Sequence, residues 1–476
     1  MIGQHLQSRD IRYATLSHCW GDSLPLRTTK ETEHLYSQEI PYGLIPPTFH
    51  DALTIARALD IPYLWIDALC IVQDDYIEWQ SEASKMQDIY SGSSLTIAAT
   101  DAFDSLEGCF FNDNRSSDSG LDKLGNNKDH QECVFFTTYD LGGNSATIVR
   151  MQPRDIRVAT ENTVLDTRGW VLQEWVLSHR TVHCMRSELH WQCRSSYQTE
   201  TGIIFDPVTM RHKAIPILDP KKPTALDKTW WRWMENYSGR RFSIPKDKLP
   251  AIAGIVQYYQ TLTGDTPILG LWERSFHKDL LWMRVGRLTE REDITTRLPN
   301  IPSWSWLSCP EKISFDFWST WGDEDDPDVD IQDHAVLVEW DVTWSYLPLT
   351  SDIKSTRLVI DGPIREISLS VAPEAEDFNP PYFDVENEKP DFDEHPIPWR
   401  SAGQFDAESR RPPSRYLCLL LRSRIHEKSK RVHETFLILE PSGHPTATAY
   451  RRVGIGFFSG RSRTFDSTVR RNLSLV

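Results

Sequence analysis

With 476 residues, 25% of them charged and 39% hydrophobic, the chain has the make-up of folded, water-soluble material and a length that suits two or three domains. A formal net charge of −16 argues against a nucleic-acid groove or an anionic membrane as the main partner. The eight cysteines are scattered without a CxxC pair, the N-terminus lacks the apolar core of a signal peptide, and no apolar run is long enough to span a bilayer, so the expectation is a soluble, cytoplasmic protein.

In chain order, Arg12 to Ser17 reads as a strand, followed by the loop His18-Cys19-Trp20-Gly21-Asp22 with Gly21 free to turn. Residues 30–45 are weakly patterned. Pro46-Pro47-Thr48 reads as a helix start, and Phe49, Leu53, Ala56 and Leu59 then fall on one face. Ile61 to Val72 is almost continuously apolar and closes at Gln73-Asp74-Asp75, which predicts a strand buried on both faces. Trp79, Ala83, Met86 and Tyr90 share one stripe of a helix that stops at Gly92, and Leu95 to Ala99 is a further strand. The expectation is an α/β fold with a mostly parallel sheet and crossover helices.

Two acidic residues stand out. Asp67 interrupts the apolar run, and Glu82 lies on the shoulder of the helical stripe, where a carboxylate must be paired or shifted in pKa. Ligands of open α/β sheets sit beyond the carboxyl ends of the strands, so the pair is a site candidate. The alternative is an ion pair with an arginine such as Arg57.

Residues 111–132 form a polar insertion, with strands expected at 133–138 and 146–151, a short helix over Thr167 to Trp175, and strands at 181–185 and 188–193. From about 220 the spacing predicts helices around Trp230, Trp231, Trp233 and Tyr237, over Leu249 to Tyr259, and through Leu271-Trp272 to Leu280-Leu281-Trp282. A β-rich region follows from 301 to 476, interrupted by acidic, proline-containing loops at 322–333 and 373–396. The basic stretch Arg410 to Arg431 reads as the outer face of a strand pair. His179, His183, Cys184, His190 and Cys193 are close in sequence, yet their spacing matches no zinc pattern and no metal site is expected. His18-Cys19 near Asp67 raises a thiol nucleophile, against which adjacent residues rarely face each other. Arg168 and Glu174 flank a short helix, as an ion-pair lock or as part of a site.

Several blocks are long and ordered: Tyr13 to Gly21 (YATLSHCWG), Pro47 to Ala52 (PTFHDA), Tyr63 to Asp75 (YLWIDALCIVQDD), then Trp79, Glu82, Met86 and Ile89-Tyr90, then Leu95 to Thr100 (LTIAAT), and Arg168 to Glu174 (RGWVLQE). On these the chain resembles fungal heterokaryon-incompatibility (HET) domain proteins over about residues 11–195. A helical segment at 220–300 and the β-rich region follow; Pro302-Ser303-Trp304-Ser305-Trp306 and Tyr450-Arg451-Arg452-Val453-Gly454 resemble the usual extension of such proteins. The resemblance implies a role in cell death when genetically different fungal cells fuse. It also implies a remote likeness to TIR domains, some of which hydrolyse NAD⁺, with a flavodoxin-like core over about 11–100. NAD⁺ is then a substrate and no cofactor is implied. The implied partners are NAD⁺, a second copy of the chain or a partner incompatibility protein. Glu82 takes the catalytic role, one turn after Trp79, at three positions where TIR enzymes use four, the place of Ala83. Ser17, His18, Trp20, Gly21, Asp67, Gln73, Asp74 and Trp79 bind substrate, and Arg168, Gln173 and Glu174 support them. The alternative is a non-catalytic, self-associating signalling module in which Glu82 is structural.

Overall fold

The computed structural model describes residues 11–21, 26–111, 135–140, 146–151, 163–205, 223–285, 298, 300–315, 327–371, 383–385, 401–406, 414–443, 449–465 and 469–476. They fall into two compact units, 1–217 and 218–476. The polar insertion expected at 111–132 lies outside the described residues apart from Phe111.

The N-terminal unit begins with β1 (Tyr13–Ser17), α1 (Glu33–Tyr36), α2 (Pro47–Ala58), β2 (Tyr63–Trp65), α3 (Asp67–Cys70), α4 (Tyr76–Ser84), α5 (Met86–Gly92) and β3 (Leu95–Ala99). It continues with a separate antiparallel pair, β4 (Phe135–Asp140) and β5 (Ala146–Met151), then α6 (Val171–Leu177), β6 (Arg180–Cys184), β7 (Leu189–Cys193), β8 (Tyr197–Thr199) and β9 (Ile204–Phe205). The main sheet has the order β2-β1-β3-β6-β7-β8-β9, parallel through β6 and antiparallel beyond it.

Alternation along β1 divides its side chains between two helical layers. Ala14 and Leu16 join Ile97 and Ala99 of β3 in a core with Phe49, Ala52 and Ala56 of α2. Ser17 and Thr15 point to the other face, where Ala98 meets Val171 and Trp175 of α6. A buried polar chain crosses this second face: Thr15 and Thr96 hydroxyls share a hydrogen bond of 2.7 Å, Thr96 and Ser178 one of 2.5 Å, and Ser178 Oγ donates to Glu174 O at 2.5 Å. That chain fixes the end of α6 against β1 and β3.

Two expectations for this unit are corrected. The apolar run Ile61 to Val72 is not one doubly buried strand. Only Tyr63–Trp65 pairs as a strand, at the sheet edge, and Asp67 then opens α3, its side chain accepting from Ala68 N at 2.7 Å. The helix expected over Trp79 to Tyr90 is two helices, because Lys85 leaves helical geometry at φ −96°, ψ 0°.

The C-terminal unit opens with α7 (Pro223–Ser238) and α8 (Pro250–Thr263), the latter ended by Gly264 at φ 65°. The third helix expected around Leu271 to Trp282 is instead a hairpin of β10 (Pro267–Ile268) and β11 (Leu271–Trp272) followed by the one-turn α9 (Phe276–Asp279). Leu269 and Gly270, at φ 44° and 94°, force the turn, and the buried Asp279 folds the segment back by accepting from Trp272 N at 2.8 Å, Ser275 Oγ at 2.8 Å and Trp231 Nε1 at 2.7 Å. Burial raises the Asp279 carboxyl to about 7.

After the pair β12 (Met283–Arg284) and β13 (Ile313–Ser314) come β14 (Val329–Asp333), β15 (Val336–Trp344), β16 (Ile353–Val371), β17 (Phe383–Val385), β18 (Ser401–Phe405), β19 (Ser414–His426), β20 (Arg431–Pro441), β21 (Ala449–Gly460) and β22 (Val469–Leu475). The path β19-β20-β21-β22-β16 returns to β19, so the long β16 closes the sheet on itself around Phe405, Tyr416, Phe436 and Ile438. Within the loops expected at 322–333 and 373–396, Val329–Asp333 and Phe383–Val385 are strands, since paired neighbours supply the hydrogen bonds that acidic sequence alone does not suggest. Arg422 does not stay on the outer face either. A register shift between Leu420 and Arg422 turns it inward, where its Nε donates to Asp333 at 2.6 Å.

Candidate functional site

The order β2-β1-β3 sends successive crossovers to opposite sides of β1, and the carboxyl end of β1 is therefore the topological switch point at which doubly wound sheets bind ligands. A polar group converges there. Ser17 Oγ, at the last position of β1, donates to Glu174 Oε2 across a sequence separation of 157. The Tyr90 phenol of α5, its pKa raised by burial, stands close enough to Glu174 and Asp67 for their charges to raise it further. Arg168 Nη1 donates to the His18 carbonyl, and its guanidinium lies beside the Cys19 thiol. Trp20 Nε1 donates to Asp67 Oδ2 at 2.9 Å, while Asp67 Oδ1 stands 3.9 Å from His18 Nδ1.

Local sequence explains the placement. Gly21 takes φ 77°, and a Cβ there would meet Asp104 Cβ at 2.2 Å, so only glycine lets the loop pass. Asp67 follows the short β2 after the extended Ile66, and Gln73 Nε2 donates to its carbonyl at 2.9 Å. Every residue of α6 is buried, Gln173 and Glu174 included, so the glutamate is held at the sheet edge rather than in solvent.

Burial dominates the electrostatics. It lowers the His18 pKa to about 4, with Arg168 adding to the effect and Asp67 opposing it. Both ring nitrogens of His18 are buried without a hydrogen-bond partner, and the ring lies edge-on to Phe49 at 5.0 Å. Burial pushes the Cys19 thiol up despite Arg168, which disfavours the thiolate a nucleophile needs. Tyr90 is raised well above the usual phenol range, by burial first and then by Glu174 and Asp67.

The residues picked out in the sequence do not all share one place. Ser17, His18, Trp20, Gly21, Asp67, Arg168 and Glu174 come together at the carboxyl edge. Asp74 instead accepts from Lys30 N at 2.8 Å, and Gln73 donates to the carbonyls of Asp67 and Ile71. Trp79 stacks on Tyr76, with ring centroids 6.3 Å apart, and meets Trp170 edge-on at 6.0 Å. Glu82 accepts from Lys85 Nζ at 2.6 Å, one turn along, with side-chain exposures of 22% and 53%. The lysine takes the partnership that the sequence suggested for Arg57, because i,i+3 neighbours on one helix meet without help from the fold. Such a pair contributes little, so Glu82→Gln is expected to change the stability of this unit by less than about 1 kcal/mol, read from thermal melts beside the wild type.

Tyr90 is the site residue that the sequence missed as a polar group, since its stripe position reads as core. Of the histidines considered for zinc, His183 is hydrogen-bonded to Thr100 and Gln192, at 3.2 and 3.0 Å, and His190 to Tyr197 at 2.7 Å. Among the described residues no three of His, Cys, Asp and Glu are grouped to hold a metal ion.

The family model described as heterokaryon incompatibility protein (HET) matches residues 13–174, from the first residue of β1 to Glu174. That segment is a HET domain. No curated protein and no solved structure matches the chain. The HET match thus begins and ends on the two elements that build the group, β1 with Ser17 at its end and α6 with Glu174. Among the described residues no helix is long and apolar enough to cross a membrane.

Chemically, the edge of the HET domain offers two carboxylates, a guanidinium, a neutral imidazole and an indole N–H within one partly enclosed group. Such a set can hold the hydroxyls of a sugar and stabilise positive charge that develops next to them.

Proposed function

We propose that this protein acts in fungal heterokaryon incompatibility, in the recognition of non-self and the cell death that follows, and that its HET domain acts by hydrolysing the nicotinamide–ribose bond of NAD⁺. The observation that carries this reading is the convergence of Ser17, His18, Trp20, Asp67, Arg168 and Glu174 at the carboxyl end of β1, from segments far apart in the chain. The bond to be broken suits that equipment. Pyridinium already carries the positive charge, so nicotinamide leaves without a strong acid, and the ribosyl cation left behind asks for a carboxylate close by. In this reading Asp67, held by Trp20, accepts from a ribose hydroxyl, and a base stacks on the half-buried Trp20 or Trp79.

A non-catalytic, self-associating module is the competing reading, favoured by the pairing of Glu82 with Lys85. The discriminating experiment compares nicotinamide release from NAD⁺ by the full chain with that by Asp67→Asn. The enzymatic reading expects release by the wild type and a fall of roughly 10-fold or more in the variant. Cell death that persists in a variant unable to release nicotinamide supports the adaptor.

A further inference from the structure

Hydrolysis of NAD⁺ needs a carboxylate where the glycosidic bond breaks, so naming that group rests on the reading of the HET domain as a hydrolase. We propose that Glu174 is that carboxylate and that Ser17 is its positioning residue, in place of Glu82, the candidate taken from the sequence.

Three observations support this assignment. The first is dielectric. Glu174 is 6% exposed at the switch point, where a fixed negative charge acts on a nearby cation with far less screening than it does near water. Both glutamates have a cation near them, Arg168 for Glu174 and Lys85 for Glu82, but Glu82 is 22% exposed on the outer turn of α4, where solvent and salt weaken the charge it projects.

The second is preorganisation. Ser17 Oγ holds the Glu174 side chain, while Ser178, Thr96 and Thr15 fasten its backbone to β3 and β1. A charge held in place before the reaction has no reorganisation left to undergo as the cation forms.

The third is independent of the glutamate. His18, next to Ser17, keeps two buried ring nitrogens without a hydrogen-bond partner beside Asp67 and Arg168. A purely structural lock satisfies its buried polar atoms. An unspent imidazole at the same sheet edge is what a site retains for the hydroxyls or the carboxamide of a ligand.

In the bond-breaking step the C1′–N bond of NAD⁺ is cleaved, and its electron pair passes to the pyridinium nitrogen, which leaves as neutral nicotinamide. The cation at C1′ rests against the Glu174 carboxylate. Water adds to C1′ and loses a proton to Glu174, which returns it to solvent, so NAD⁺ and water give ADP-ribose, nicotinamide and one proton.

The test uses the purified full chain with NAD⁺ and compares the wild type with Glu174→Gln, Ser17→Ala and Glu82→Gln, each checked for folding by circular dichroism and thermal melting. The expected result is a loss of at least ~100-fold in kcat for Glu174→Gln and a change under about 3-fold for Glu82→Gln. Ser17→Ala should lower kcat more than it alters KM and move the acid limb of the pH profile upward, because removing a donor to the carboxylate raises its pKa. A folded Glu174→Gln variant that keeps a third or more of the wild-type rate overturns the assignment while leaving the reaction intact. If Glu174→Gln does not fold, Ser17→Ala decides, and an unchanged rate and pH profile overturn the assignment. Absence of nicotinamide release by the wild type overturns both this assignment and the reaction it rests on.

Discussion

Replacing Arg452 by methionine should destabilise the C-terminal unit by about 3–5 kcal/mol, the cost of leaving one partner of a buried ion pair alone. Arg452 is fully buried on β21 and spends its whole guanidinium. Nε donates to Asp406 at 2.9 Å, Nη1 to Leu280 O at 2.7 Å and Nη2 to Trp282 O at 2.7 Å, and the group lies 3.6 Å above the Trp282 ring. Methionine fills most of the volume but satisfies none of these acceptors, two of which are backbone carbonyls with no other route to a donor of that shape. Urea unfolding followed by tryptophan fluorescence measures the loss, and adding Asp406→Asn should recover part of it by removing the orphaned charge. A loss below about 1 kcal/mol for the single variant would show that the carbonyls and Asp406 find water instead.

Acidification should weaken the N-terminal unit through His18 by about 3 kcal/mol between neutral pH and pH 4. The imidazole has an ordinary pKa near 6.5 when unfolded and about 4 when folded, chiefly because burial disfavours its charged form. Between those values the unfolded chain binds a proton that the folded chain refuses. Stability is therefore complete above about 6.5, falls as the pH drops and levels off below about 4. Asp67 at 3.9 Å limits the shift and Arg168 adds to it, so both belong to the same titration. Hydrogen exchange of β1 and β3 amides across this range isolates the unit, and His18→Leu should show a shallower dependence than the wild type by about that amount. Parallel curves for the two proteins would mean that water reaches the ring.

Much of the N-terminal architecture was legible because it is written in local periodicity. The apolar stripe of α2, the alternation along β1 and the short, fully buried β3 mark these elements, and their succession implies a parallel sheet with crossover helices. The run from Ile61 to Val72 misled because an apolar strand and an apolar turn of helix look alike over so few residues. Asp67, read as an interruption, is the residue that starts α3. The site was legible only in part. The rule that ligands sit at carboxyl ends of strands points to Asp67, and Ser17, His18 and Trp20 follow from the family resemblance. RGWVLQE leaves Glu174 open as half of a local lock or as part of a site, since nothing in it tells of Ser17, whose hydroxyl reaches it from the other end of the matched segment. The one local sign was a glutamate within VLQEWVL, a helix otherwise suited to burial on all sides. Glu82 drew notice by its angle on a helical wheel, and a wheel cannot see that Lys85 lies one turn away on a helix that ends there.

In the C-terminal unit the strands were legible by alternation, whereas their closure was not. The closure depends on β16, which pairs with β15, β22, β19 and β17 at different points along its length, and no pattern of period two encodes a strand's neighbours. The hairpin of β10 and β11 was missed for a related reason. Its turn rests on Leu269 in a left-handed conformation, where its carbonyl accepts from Ser305 Oγ at 2.6 Å, a partner far along the chain that the local residues do not announce.

The most direct measurement of the central claim is the fate of NAD⁺ incubated with the purified full chain, resolved by chromatography of both products. The account predicts one nicotinamide and one ADP-ribose for every NAD⁺ consumed, with turnover lost when the Glu174 carboxylate is made an amide. NAD⁺ left whole by a well-folded wild-type chain would contradict it.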